Sequence, residues 1–145
     1  MRYVFDTNVL VAALRSDQGA SRKLFEALLG PQIQALMSVP LMIEYEAVLT
    51  RPEQLAATGL SIDETNILLD AFVAVAEQIS LHFFWRPQLK DPDDDLVLET
   101  AVSGRADRLV TFNLRHLQPA AGEFGILAVT PPTAWKELES RDAKK

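Results

Sequence analysis

The chain has no cysteine, so disulfide staples, thiolate metal sites and thiol nucleophiles are all excluded, and a reducing interior suits it. Only two histidines occur, His82 and His116. Neither has a second His or Cys at metal-ligand spacing, which leaves a nitrogen and sulfur site for zinc without support. His82 reads instead as a half-buried strand residue. The six glycines form no phosphate-cradling loop, and no Ser-His-Asp order appears, so nucleotide-cradle and covalent mechanisms lack their usual signatures. Long charge-free apolar runs are missing too. With a strand opening at Arg2 and no room for a signal peptide before it, the expectation is a soluble cytoplasmic protein with no membrane span. Basic residues are also scarce, 14 Lys and Arg against 20 Asp and Glu, for a net charge of -6 and a pI near 4.9. Such a balance argues against a surface that grips nucleic acid throughout. Acids gathered around divalent cations would, however, reverse the local sign.

What is present is enough chain, 145 residues, for one domain with a real core. We read residues 1–140 as that domain and 141–145 as a charged tail. Tyr3, Val4 and Phe5 form a first strand, and Val9, Leu10, Val11 and Leu14 open a helix behind it. Leu24, Phe25, Leu28 and Leu29 fall at helical spacing before Gly30. In Gln32–Ser38, Ile33, Ala35 and Met37 alternate with Gln32, Gln34 and Leu36 as a second strand. Leu41, Tyr45, Val48 and Leu49 then mark a helical face closed by Arg51-Pro52. The stretch from Pro52 to Leu60 reads as a helix-poor connector, and Ser61 to Glu64 as a capping box that opens a long helix. A third strand is expected over Ile79–Trp85, a helix after Asp95, a fourth strand over Asp107–Thr111 and a fifth over Phe124–Val129. Pro131 to Thr133 reads as a turn before a closing helix. Strands alternating with helices in this order give an α/β fold, a parallel sheet covered on both faces.

Acid recurs where strands end. Asp6 follows strand one, at the side of an open α/β sheet where ligands bind. The simpler reading of Asp6, Thr7 and Asn8 is a helix cap. Glu44 projects from a mostly apolar helical stripe, which obliges it to face a partner, a metal or a solvent crevice. Glu46 falls on another side and reads as solvated surface. The knot Asp91-Pro92-Asp93-Asp94-Asp95 has room for an N-cap at Asp91 and for Pro92 at the first helical position. That accounts for only part of the charge, and the remaining aspartates repel one another unless cations offset them. Oxygen-rich sets of this kind suit Mg²⁺ or Mn²⁺, which activate water and stabilise charge developing on a phosphate.

The residues Val4–Leu10, Ser38–Glu44 with Val48–Pro52, the Asp91–Asp95 knot and Ala106–Asn113 together resemble the PIN-domain family, in its branch of VapC-like toxin components of toxin–antitoxin systems. The resemblance implies a PIN-like three-layer α/β/α fold around a central parallel sheet of four to five strands. It further implies a Mg²⁺- or Mn²⁺-dependent endoribonuclease, an antitoxin protein as partner, and often a homodimer. By the same resemblance Asp6, Glu44 and Asp94 hold the metal, with Asp91 and Asp95 as further candidate ligands. Asn113 stands where many members carry an aspartate, and its carbonyl can orient metal or water without adding charge. That departure leaves open a catalytically weakened PIN-like module that binds RNA or a protein partner. Arg15, Arg115 and His116 are the basic residues nearest the proposed edge in sequence and the candidates for holding RNA phosphates. Asp107 precedes its strand, at the wrong end for the site. A phosphatase of the haloacid dehalogenase type also opens strand-then-Asp, but that pattern carries a second Asp where this chain has Asn8.

Overall fold

Tyr3, Val4 and Phe5 are at most 1% exposed, so the strand they form has both faces covered. A computed structural model describes residues 1–81 and 92–143 of the chain and places that strand, β1 (Arg2–Phe5), at the centre of a sheet. The other strands are β2 (Gln34–Met37), β3 (Glu77–Gln78), β4 (Arg108–Val110) and β5 (Leu127–Val129). They run in the order β3-β2-β1-β4-β5, all parallel. The expected alternation in β2 fails at Leu36, which is fully buried like its neighbours Ala35 and Met37. Cover on both faces of a parallel sheet removes the polar side that alternation needs.

Among the described residues eight helices flank the sheet: α1 (Thr7–Arg15), α2 (Ala20–Leu28), α3 (Val39–Leu49), α4 (Pro52–Thr58), α5 (Ile62–Val75), α6 (Pro92–Ser103), α7 (Leu114–Glu123) and α8 (Pro131–Ala143). The helices α1, α2 and α8 pack in sequence on one another, while α6 lies against β1, β2 and β4, α5 against β2, and α7 against α6 and β5. This is the three-layer α/β/α arrangement that the element order predicts.

Three local expectations change and one holds. Pro52–Thr58 is a helix, α4, opened by Pro52 in its first turn and closed by Gly59 at φ 77°, in the left-handed region that glycine tolerates. The third strand starts earlier than its apolar run. Glu77 and Gln78 pair with Leu36 and Met37, and the Ile79 N–H donates to the Met37 carbonyl at 2.7 Å. The rest of that run, His82 to Trp85, lies outside the described residues. Pro131 to Thr133 is the first turn of α8 rather than a separate turn, and α8 continues through Arg141 to Ala143. The Ser61–Glu64 capping box is present, with both of its hydrogen bonds at 3.1 Å.

Successive connections move outward from β1 to β2 and β3 on one side, then return across β1 to β4 and β5 on the other. The direction reverses between β1 and β4. A crevice forms outside the carboxyl ends of the strands at such a reversal. Asp6 and Thr111 are the residues that immediately follow those two strands.

Candidate active site

Asp6 occupies the N-cap position of α1, with φ -63° and ψ 147°, yet its side chain makes no capping hydrogen bond. Its backbone N–H donates to the Val110 carbonyl at 2.9 Å, which prolongs the β1–β4 pairing by one residue. Its Oδ2 accepts from the Thr111 hydroxyl at 2.7 Å. Asp6 is only 8% exposed, and a buried charge of this kind is tolerable only with donors aimed at it. Asp6 therefore uses its position at a helix start without serving as the cap.

Thr111 is fully buried and uses its hydroxyl twice. While Oγ1 donates to Asp6, it accepts from the backbone N–H of Asn113 at 2.9 Å. That contact fixes the turn from β4 into α7. Asn113 in turn is the N-cap residue of α7 without a side-chain capping bond. Its Nδ2 donates to Asp94 Oδ2 at 3.2 Å and lies 3.2 Å from His116 Nδ1. Asp94 is 8% exposed in the first turn of α6. A continuous hydrogen-bonded line thus crosses the crevice from Asp6 through Thr111 and Asn113 to Asp94.

Glu44 joins from α3. It is half-buried, and its Oε2 accepts from the hydroxyl of Thr7, the residue after Asp6. The next residue, Tyr45, is completely buried and donates its hydroxyl to the carbonyl of Phe5, the last residue of β1. Its ring meets Phe72 of α5 edge-on, with centroids 5.6 Å apart at 83°. Burial pushes the Tyr45 hydroxyl well above the usual phenol pKa, and the negative charges of Asp6 and Glu44 push it further the same way. Both carboxylates act on one buried hydroxyl at the tip of β1. The Ser38 hydroxyl caps α3 by accepting from the Leu41 N–H and bonds Thr100 of α6 at 2.8 Å. The helices that carry Glu44 and Asp94 are therefore pinned to each other.

The oxygens gathered here are carboxylates, with the carbonyl of Asn113, a donor set that fits a hard divalent cation retaining several waters. Among the described residues, no three His, Cys, Asp or Glu side chains form a ready-made metal cage. Of the five carboxylates named from the sequence, Asp6 and Asp94 are linked through the Thr111 hydroxyl and the Asn113 amide, Glu44 holds the hydroxyl of Thr7 beside Asp6, and Asp91 lies outside the described residues. Asp95 is half-buried on α6. Its charge bears on Glu99 one turn along, whose pKa is raised first by burial and then by Asp95.

Of the basic candidates, Arg115 and His116 are exposed in the first turn of α7, beside Asn113. Arg15 is the last residue of α1, and at 1.5 Å of rise per residue it stands about 12 Å from Thr7. Sequence proximity did not put it at the rim. Asp107 lies at the amino end of the sheet, where its N–H donates to the Arg2 carbonyl at 2.8 Å and its Oδ2 accepts from the Arg2 N–H at 2.7 Å. Three participants escaped the reading of the sequence: Thr111, Tyr45 as a hydrogen-bond donor, and Thr7 as the partner of Glu44. Thr111 directly follows β4, Thr7 opens α1 and Tyr45 lies within α3, so no shared spacing marked the three.

Comparison with known proteins adds two findings. The family model for the PIN domain matches residues 2–115. A solved structure of VapBC2 from Rickettsia felis, bound to a DNA fragment from its promoter, shares the fold with a TM-score of 0.61. The match is 17% identical and covers 90% of this chain and 98% of that one. None of the curated proteins matches. No helix among the described residues is long and apolar enough to cross a membrane.

Proposed function

Because the chain belongs to the PIN-domain family, whose members are generally nucleases, we propose that it is a Mg²⁺- or Mn²⁺-dependent endoribonuclease that hydrolyses RNA phosphodiesters. The observation that supports this best is the line from Asp6 through Thr111 and Asn113 to Asp94, joined by Glu44, at the reversal point of a parallel sheet. In this reading Asp6, Asp94 and Glu44 supply the carboxylate oxygens for the cation. A bound divalent ion would lower the pKa of its water and neutralise charge developing on the phosphate. Thr111 and Thr7 orient the carboxylates of Asp6 and Glu44 by donating to them. Asn113, with its amide nitrogen committed to Asp94, offers its carbonyl oxygen to an incoming water. Arg115 and His116, exposed beside it, hold the RNA backbone.

Asp6→Asn removes a charge with almost no change of shape. Its Mn²⁺-stimulated cleavage of single-stranded RNA should fall by about 100-fold or more, the scale on which removing a group that stabilises developing charge acts, while the unfolding transition stays cooperative. Undiminished cleavage by that variant rules the site out. The fold shared with VapBC2 favours a toxin that is held by an antitoxin and works in the cytoplasm, with a homodimer as the assembly. Expression of the wild-type chain should then arrest growth, and expression of Asp6→Asn should not. Gel filtration measures the assembly.

Asn113, together with the lack of a three-carboxylate cage among the described residues, favours a second reading, a non-catalytic module that binds RNA or a protein. Calorimetric titration of Mn²⁺ separates the two, since absence of binding at millimolar metal favours the module.

A further inference from the structure

At the opposite end of the sheet from the acidic crevice, an open cleft of about 410 Å³ separates the starts of β1 and β4 from one face of α8. Thr133, Lys136, Glu137, Ser140 and Arg141 line it from α8, at the spacing of a single helical stripe, and Arg108 lines it from β4. Three cations thus meet one carboxylate. That carboxylate is already engaged, because Glu137 accepts from Arg108 Nε at 3.2 Å and pairs with its terminal nitrogen at 2.8 Å. Lys136 and Arg141 are exposed and form no salt bridge among the described residues. The cleft has an uncompensated positive side lined with hydroxyl donors.

A second observation comes from beneath it. Tyr3 is fully buried, yet its hydroxyl has no hydrogen-bond partner among the described residues. Burial raises its pKa, and Arg141, Glu137 and Arg108, three of the side chains that line the cleft, all act on it, so the phenol lies close behind that lining. A buried phenol whose proton has no acceptor is costly. The acceptor-only group of the cleft, Glu137, is engaged by Arg108, which leaves Lys136 and Arg141 without a matching anion from the cleft lining.

The geometry points to a phosphate-binding site here, with Arg141 and Lys136 neutralising the group and Tyr3 donating to it from below. Arginine meets phosphate with two parallel N–H donors, and lysine serves as a point charge. The volume exceeds that of a bare ion and falls in the range of small-ligand sites, so a phosphate monoester on a nucleoside-sized body fits. The phosphate could be free or part of an RNA strand, and the chemistry of recognition is the same. The site is independent of the nuclease reading, since it shares no residue with the acidic crevice.

The test uses the Asp6→Asn chain in chelator, so that cleavage cannot contribute, and titrates inorganic phosphate, a nucleoside 5′-monophosphate, the matching nucleoside, and a short RNA without a terminal phosphate. The monophosphate should bind and the nucleoside should not. Lys136→Ala combined with Arg141→Ala, two exposed positions, should weaken binding by at least about ten-fold, the scale of lost charge-assisted hydrogen bonds, without lowering the unfolding temperature. Tyr3→Phe keeps the ring, removes the orphaned hydroxyl, and should weaken binding several-fold with no loss of stability. Binding of the unphosphorylated RNA that also falls in the double variant assigns the phosphate to a strand, and binding of the monophosphate alone assigns it to a free ester. Absence of binding by all probes at millimolar concentration overturns the site, as does equal binding of nucleoside and monophosphate. Affinity unchanged in the double variant overturns it too. In the wild-type chain, the double variant should leave any metal-stimulated RNA cleavage unchanged, which separates failure here from failure of the nuclease reading.

Discussion

A single hydroxyl sits between the two sides of the crevice. Thr111 gives its proton to Asp6 and receives one from the Asn113 backbone, so it orients a carboxylate and a turn at once. Thr111→Val conserves the shape of the side chain and removes both bonds. Groups that orient a metal ligand typically govern 10- to 100-fold in affinity or activity, and a loss of about that size in Mn²⁺ affinity and RNA cleavage is expected. Loss of stability without loss of metal affinity would mean a purely structural threonine. Asn113 permits the opposite experiment. Its amide donates to Asp94, so Asn113→Asp sets two carboxylates at hydrogen-bonding distance and should destabilise the metal-free protein by about 1 kcal/mol through like-charge repulsion. Mn²⁺ should reverse the loss, which thermal unfolding in chelator and in metal would measure. The acids were legible in the sequence because a charge in an apolar stripe or directly after a strand needs a reason. The threonines were not, because a β-branched residue at a strand end is what the strand itself requires.

At the scale of elements, α3 is bolted to the tip of β1 through the Tyr45 hydroxyl on the Phe5 carbonyl. Tyr45→Phe leaves that carbonyl unpaired in the core and should cost about 1–3 kcal/mol at neutral pH. The pH dependence has a definite sign. The folded-state pKa lies above the ordinary 10.0 because of burial first and of Asp6 and Glu44 second, so the folded chain keeps a proton that the unfolded chain releases. That contribution is full below pH 10 and is lost as pH rises toward the raised value. Denaturant unfolding of wild type should therefore weaken more steeply above pH 10 than that of Tyr45→Phe. Parallel curves would contradict the assignment. A second element, α5, depends on its Ser61–Glu64 capping box, and Ser61→Ala should cost about 1 kcal/mol in the same measurement. That box was legible because two residues at fixed spacing specify it. The helix α4 was not, because none of its residues is buried and so no apolar period marks it. The strand β3 was displaced for a related reason. Its two residues, Glu77 and Gln78, are exposed at the sheet edge, where backbone pairing rather than hydrophobicity makes the strand.

For the whole molecule, the sheet separates two chemistries. Carboxylates gather beyond the carboxyl end of β1, while the amino end carries the Arg2–Glu77 and Arg108–Glu137 ion pairs. With a net charge of -6, RNA is repelled at long range, and the rim where we place its cleavage is the more acidic end. Affinity for RNA should therefore require the divalent ion, since bound metal inverts the sign of the local field. A labelled single-stranded RNA made resistant to cleavage should bind at least about ten-fold more tightly in Mn²⁺ than in chelator at equal ionic strength, a difference of about 1.4 kcal/mol. The salt dependence should also be shallow, because among the described residues Arg115 is the cation beside Asn113 that displaces a counterion. That corresponds to roughly one phosphate contact and a slope of about -0.7 in log affinity against log salt for a single strand. Equal affinity in metal and in chelator, or a slope several times steeper, would move the RNA away from the acidic rim to another surface. The double variant Lys136→Ala with Arg141→Ala then asks whether that surface is the cleft under α8.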